Sequence, residues 1–273
     1  MSSTDGTHTV TAVARDAAGN TQTSASVAVT VANQVTAPPV TAPSSTNEVP
    51  GLSVLTDQPW NAIASLGWSY MRRTSSKNDS IISDSAAPFS PSNILQIVFT
   101  PDMRQDTEPS VHWLAVPKRK EVYTSWWMKL SPNWTCSPAG CGKVTFLFNE
   151  QGQGQVYTGV YHSDTSSGPP YRIAANTEWA PYGQNVWYPN VTTTPINPGE
   201  WHRLEFYYKW ETIPGVSGDG IIRFWVDGVL NGNHTTVHYP ASSFIEFQYA
   251  PTLQNPPSAE QYMYIDHTRI STR

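Results

Sequence analysis

The chain has 273 residues, 38% of them hydrophobic and only 14% charged, with a net charge of −5. That balance gives no electrostatic case for nucleic acid, and no apolar run approaches the roughly 20 residues that span a bilayer, so membrane insertion is not expected. With 11 Trp and 13 Tyr among abundant Ser, Thr, Asn and Gln, the composition suits β-sheets with uncharged, hydrogen-bonding surfaces.

Residues 4–33 alternate in two runs, Thr7–Ala14 and Ser26–Val31, around the turn signal RDAAGN. They read as a two-stranded hairpin, which alone is marginal in water. The phrase DGTHTVTAVARDAAGN resembles the last two strands of a bacterial immunoglobulin-like repeat, which implies that residues 1–33 are the C-terminal hairpin of such a repeat. The stretch 34–50, QVTAPPVTAPSSTNEVP, is rich in Pro, Ser and Thr and reads as an extended linker. The opening MSSTDGTHTV has neither the basic start nor the apolar stretch of a signal peptide. The expectation is a piece of a longer exported protein, secreted or at the cell surface, acting as a monomer or within a multidomain chain.

From 51 to 273, short alternating runs recur between Pro- and Gly-rich loops, with no helical period. The predicted strands are Ile94–Thr100, His112–Val116, Glu121–Leu130, Lys143–Asn149, Gln155–His162, Trp201–Trp210, Ile221–Asp227, Phe244–Tyr249 and Tyr262–Ser271. Many strands without helices indicate an all-β fold: a two-sheet antiparallel jelly-roll sandwich with the hairpin as an N-terminal extension. Cys136 and Cys141 flank the turn-forming SPAG, and a local disulfide is favoured over free thiols. Two thiols without His or Cys partners do not fill a metal shell.

Three segments carry a second resemblance: GEWHRLEFYYKW (199–210), DGIIRFWVDGVLNG (219–232) with its Asp227-Gly228 turn, and the closing YMYIDHTRIS (262–271). Their order resembles the concanavalin-A-like lectin/glucanase superfamily, in particular its laminin-G-like and polysaccharide-lyase-like members, over about residues 65–271. The resemblance implies a concave sheet face that holds a saccharide. Strand alternation sets Tyr123 and Trp127, then Gln155, Tyr157 and Tyr161, then Arg203, Glu205 and Tyr207, opposite apolar faces. These are expected to line the groove, with Trp179 and Trp187 added by the aromatic stretch 176–194. The competing reading is an aromatic ladder stabilising an exposed sheet, under a loop anchored by its own rings.

A retaining glycosidase needs two carboxylates close together. Glu205 has Arg203 and Tyr207 as same-face neighbours, which weighs against hydrolysis. A lyase needs a group that neutralises a uronate and a Tyr or His that moves the proton. Tyr157 or Tyr161 as base and Arg203 as neutraliser are the candidates, while His162 points to the opposite face. VYTGVYHSD resembles the alginate-lyase-like Y-x-K-x-G-x-Y only loosely and lacks its Lys. No cofactor is required. A structural Ca²⁺ is admitted by acids such as Asp266, though no acidic cluster demands it. The favoured expectation is an exported polysaccharide-binding module. The alternatives are a lyase cleaving a uronate-containing polymer by β-elimination and an adhesive or protein-binding laminin-G-like module.

Overall fold

The computed structural model describes residues 6–31, 47–64, 66–136, 142–150, 154–162, 168–179, 183–239 and 242–273. The chain forms two compact units, Met1–Thr41 and Ala42–Arg273.

In the first unit, β1 (Gly6–Val10) pairs with β4 (Val27–Val31), and β2 (Val13–Arg15) with β3 (Thr21–Thr23). Val10 faces Val27 and Thr7 faces Thr30, so β-branched residues meet across the ladder. The turn expected at RDAAGN closes through Asp16, whose Oδ1 accepts the N–H groups of Ala18 and Asn20, with Gly19 at φ 92°.

The second unit opens with β5 (Ser53–Gln58), β6 (Trp68–Arg72), β7 (Ser80–Ile82), β8 (Ile94–Phe99), β9 (Ser110–Arg119) and β10 (Glu121–Leu130). Next come β11 (Lys143–Asn149), β12 (Gly154–His162), β13 (Tyr171–Trp179), β14 (Gly183–Trp187) and β15 (Trp201–Lys209). It ends with β16 (Gly220–Val226), β17 (Val229–Val237), β18 (Phe244–Thr252) and β19 (Gln261–Thr272). One sheet runs β17-β16-β15-β10-β19-β8-β7, with β5 also on β19, and has eight strands. The other has seven, in the order β14-β13-β12-β11-β18-β9-β6. Every pairing is antiparallel, and no helix occurs among the described residues. The chain is a two-sheet jelly-roll sandwich, as its alternation and turns led one to expect.

The core lies between the sheets. Trp126 stacks on Phe206 within its own sheet at 5.7 Å between centroids and meets Phe247 and Tyr249 of the other sheet edge-on at 6.3 and 5.8 Å. Phe206 continues the stack to Phe224 at 5.4 Å. Gly232 makes room for that ring: a Cβ there would stand 2.0 Å from it. The β16–β17 hairpin turns at Asp227 (φ 52°) and Gly228 (φ 79°), the pair of positive φ values that a type I′ turn requires. The Asp227 carboxylate also accepts the Arg203 N–H at 2.8 Å and binds His202 Nδ1 at 2.8 Å, which ties the hairpin to β15.

The outer face of the eight-stranded sheet is closed. Tyr123, Tyr207 and Trp225 form a second apolar cluster, covered by Val49 and Leu52. Asn47 donates to Glu205 Oε2 at 3.0 Å, and Glu48 pairs with Arg269 at 2.8 Å. Residues 47–50, read above as the end of a linker, therefore pack on the sandwich.

A chain beginning at residue 53 should consequently be less stable than one beginning at residue 42. It loses the cover over that cluster and leaves Glu205 and Arg269 short of partners. The expected deficit is on the order of 3 kcal/mol in denaturant melts; equal midpoints would show that the segment contributes nothing. A second expectation concerns pH. Burial holds the phenols of Tyr208, Tyr239 and Tyr249 above their ordinary value. They stay protonated in the fold while the unfolded chain ionises near pH 10, so their contribution is complete below about pH 10 and falls as the pH rises further. Each phenol removes about 1.4 kcal/mol per unit in that range. Melts across the alkaline range, read alongside tyrosinate absorbance, check this.

Candidate functional site

On β12 the alternation sends Val156 and Val160 into the core and leaves Gln155, Tyr157, Gly159 and Tyr161 outward. On β13, Tyr171, Ile173 and Ala175 are core, and Arg172, Asn176 and Glu178 share the outer face with the β12 tyrosines. Pairing is in register: Tyr157 lies beside Asn176, Tyr161 beside Arg172 and Gln155 beside Glu178. These side chains meet. The Asn176 amide donates to the Tyr161 hydroxyl at 2.5 Å, and Gln155 donates to Glu178 at 2.7 Å. Lys143 of β11 completes the group, 3.8 Å from Glu178 and 4.5 Å above the Tyr157 ring.

Gly159 has a specific task here. A Cβ would stand 2.8 Å from the Tyr161 ring, so only glycine lets that ring fold back over the strand. The exposed Tyr188 ring then meets Tyr161 at 5.7 Å and receives the Arg172 guanidinium over its face at 4.3 Å. Burial pushes the Tyr161 phenol well above its usual value and the nearby Tyr157 adds to this, while the Asn176 donor works against both.

Two polar atoms at this place are unspent. Asn176 is fully buried, yet its Oδ1 has no hydrogen-bond partner, and neither has the buried Arg172 Nε. The two atoms lie four residues apart on β13, about 13 Å, on the face that carries Tyr161, and each is a buried polar atom without a protein partner.

The register continues beyond β12. Tyr157 aligns with Phe146 of β11, Phe146 with Gln248 of β18, and Gln248 with Trp113 of β9. Asn176, Tyr157, Phe146, Gln248 and Trp113 thus form one row at right angles to five strands. At its far end, Trp113, Gln248, Glu246, Arg73, Glu108 and Met71 line an open depression of about 330 Å³.

The expected groove is thereby corrected. Tyr157, Tyr161 and Gln155 belong to the seven-stranded sheet, whereas Arg203, Glu205, Tyr207, Tyr123 and Trp127 belong to the eight-stranded one. The sets point outward from opposite sides of the sandwich, so Arg203 cannot serve a substrate held at Tyr161. On the eight-stranded side the carboxylates are held by their neighbours. Tyr123 donates to Glu205 at 2.6 Å, Arg203 donates to the same oxygen at 3.2 Å, and Tyr207 donates to Glu121 at 2.7 Å. Glu205 is 0% exposed and Tyr207 is 4% exposed, too little to contact a sugar. Trp127 is half-buried on that sheet. Tyr157 itself is 2% exposed and lies under Lys143, so Tyr161 is the more accessible phenol.

Trp187 also departs from expectation. Part of the anticipated loop is strand β14, paired with β13, and Trp187 sits opposite Ala175 on the core side. Its indole donates to Thr177 at 3.0 Å and packs on His234 at 5.2 Å between centroids. The Trp179 side chain and Cys141 lie outside the described residues. Cys136 is buried and disulfide-bonded. Asp266 spends its carboxylate on the backbone N–H groups of Phe89 and Ser90, at 2.8 and 3.0 Å, and burial raises its pKa. No group of three metal-ligating side chains occurs among the described residues.

Asn176, Gln248 and Trp113 are not singled out by the sequence. Alternation in RIAANTEW puts Asn176 on the face of Arg172, but only strand order brings Gln248 and Trp113 into line with it. Replacing Glu205 with Gln should cost about 3 kcal/mol of stability through the broken buried network and leave ligand binding by the seven-stranded sheet unchanged. Lost binding at unchanged stability, by melts and affinity gels, would return Glu205 to the site.

No protein-family model matches the chain, and no curated protein matches its sequence. Solved structures do share the fold. Endo-β-1,4-glucuronan lyase from the fungus Trichoderma reesei superimposes with a TM-score of 0.58 at 15% identity, covering 81% of this chain and 96% of that one. Alginate lyase Aly36B gives 0.52 at 11% identity, over 77% and 97%. The cellulose induced protein Cip1 gives 0.50 at 13% identity, over 76% and 91%. At these identities the likeness establishes the jelly roll.

Proposed function

We propose that the outer face of the seven-stranded sheet binds a polysaccharide. The observation that carries this reading is the row Asn176–Tyr157–Phe146–Gln248–Trp113 across five strands, which opens into the depression at Gln248 and Trp113, with Tyr161 and Arg172 on the same face of β12 and β13. A polymer lying across the strands meets the Trp113 ring and the Gln248 amide in the depression and the Tyr161 and exposed Tyr188 rings near the other edge, while the buried Asn176, Tyr157 and Phe146 form the floor between them. Two of the fold neighbours are named lyases of glucuronan and of alginate, which supports a polysaccharide as the ligand. The disulfide at Cys136 suits an exported protein. Hydrolysis is disfavoured on this face: Glu178 and Glu246 stand three strands apart, about 14 Å, beyond the separation of either glycosidase geometry, and Glu108, which lines the depression with Glu246, is held by Arg73 at 2.9 Å.

A second reading, β-elimination, draws support from the contact of Asn176 with Tyr161. An amide donating to the phenol oxygen favours the phenolate, and Arg172 on the neighbouring strand is placed to offset a uronate carboxylate. In that step the Tyr161 phenolate takes the proton α to the carboxyl group. The electron pair forms the new C=C bond, the glycosidic C–O bond breaks, and the leaving oxygen recovers the proton from Tyr161.

Affinity electrophoresis against a panel of acidic and neutral polysaccharides tests the first reading. Retardation by at least one of them, weakened about tenfold by Arg172→Ala, is expected. Migration unaffected by every polymer, with binding to a protein partner instead, would sink the reading in favour of adhesion. Ultraviolet absorbance of unsaturated products tests the second. Absorbance that rises toward alkaline pH, as the elevated Tyr161 phenol ionises, and that vanishes in Tyr161→Phe identifies a lyase. Retardation without absorbance leaves a binding module.

A further inference from the structure

The two ends of the row differ in charge, and the difference points to what the polymer contains. At the β13 end, Lys143 is matched by Glu178, while Arg172 has no carboxylate partner among the described residues. At the β9 end, Arg73 pairs with Glu108 at 2.9 Å, and Glu246 has no cationic partner among the described residues; its hydrogen bond is to the Gln248 amide. One end therefore offers an unmatched guanidinium and the other an unmatched carboxylate. Arg172 and Glu246 are separated by three strand spacings across the sheet and, by the register, by six residues along it, about 24 Å in all. That exceeds the Debye length of about 8 Å at physiological salt, so each charge acts on the sugar in front of it rather than on the other.

Resting on the polysaccharide reading above, we propose that this face selects an acidic heteropolysaccharide: a sugar bearing a carboxylate at the Arg172 end, and a sugar without one in the depression at Trp113. A uronate in that depression would bring its carboxylate against Glu246, a like-charge contact. An uncharged or amino sugar avoids it, stacking on Trp113 and using Gln248 and Glu246 as hydroxyl partners. Trp113 is then a specificity subsite four strands from Asn176, about 19 Å away. Only a chain of several sugars reaches both ends.

The full chain is tested by affinity electrophoresis and calorimetry against two polymers, a homopolymeric polyuronate and a polysaccharide alternating uronate with an uncharged sugar. The alternating polymer should bind about tenfold more tightly. Glu246→Gln should narrow the gap by improving polyuronate binding about fivefold. Trp113→Ala should weaken long oligosaccharides about tenfold and leave disaccharides unchanged, with thermal melts confirming that both variants fold. Equal binding of the two polymers, unmoved by Glu246→Gln, overturns the subsite while leaving the binding face standing. Binding of neither polymer, nor of any other polysaccharide, overturns the face and the subsite together.

Discussion

The indole of Trp126 holds the sandwich together. It stacks on Phe206 of its own sheet and meets Phe247 and Tyr249 of the other edge-on. Because alternation along a strand is strict, committing Trp126 to the interior also commits Val122, Thr124 and Met128 inward and sends Tyr123, Ser125 and Trp127 outward. Phe247 imposes the same discipline on β18 and, through the register, on β11 and β12. The positions of Tyr161 on one surface and Glu205 on the opposite one follow from this contact. A slip of one residue would exchange core and surface on every strand it touches.

The two outer faces then diverge in what covers them. On the eight-stranded side the chain returns at 47–52 and seals Tyr123, Tyr207 and Trp225, while Glu205 collects Tyr123, Arg203 and Asn47. A carboxylate buried this deeply is tolerable only with that set of partners, and the returning segment covers the rings beside it. The seven-stranded side keeps Asn176 Oδ1 and Arg172 Nε unspent, with the Tyr161 and Tyr188 rings near Arg172 and the Trp113 ring four strands away. The returning segment 47–52 on one face and the open depression at Trp113 on the other separate the two faces more clearly than their aromatic content, which is high on both.

Much of the fold was legible from residue order. The runs at Glu121–Leu130 and Lys143–Asn149 are strands over those same residues, and Asp227-Gly228 turns where a dipeptide favouring positive φ must. Less legible were β13, β14 and β17, whose sequences are rich in Asn, Gly and Thr and carry weak alternation; the rings of 176–194 drew attention away from a strand. The site divided in the same way. Tyr161, Tyr157 and Gln155 could be placed on one face from their spacing alone. Their association with Arg203 failed because spacing within a strand says nothing about which sheet the strand joins.

Sequence alone determined the local conformation: which residues extend, where the chain turns, and which side chains share a face, since each depends on near neighbours and on the fixed period of the strand. Only the tertiary structure decided which faces come together. Successive strands from β8 to β11 cross from one sheet to the other, so pairing partners are distant along the chain: Phe146 meets Gln248, and Gln248 meets Trp113. The aromatic strand GEWHRLEFYYKW shows the division. Its alternation assigned Leu204, Phe206 and Tyr208 to one side and Arg203, Glu205 and Tyr207 to the other. That the second side closes over a buried carboxylate required residues 47–52 to return across it, a contact that the strand's own sequence does not encode.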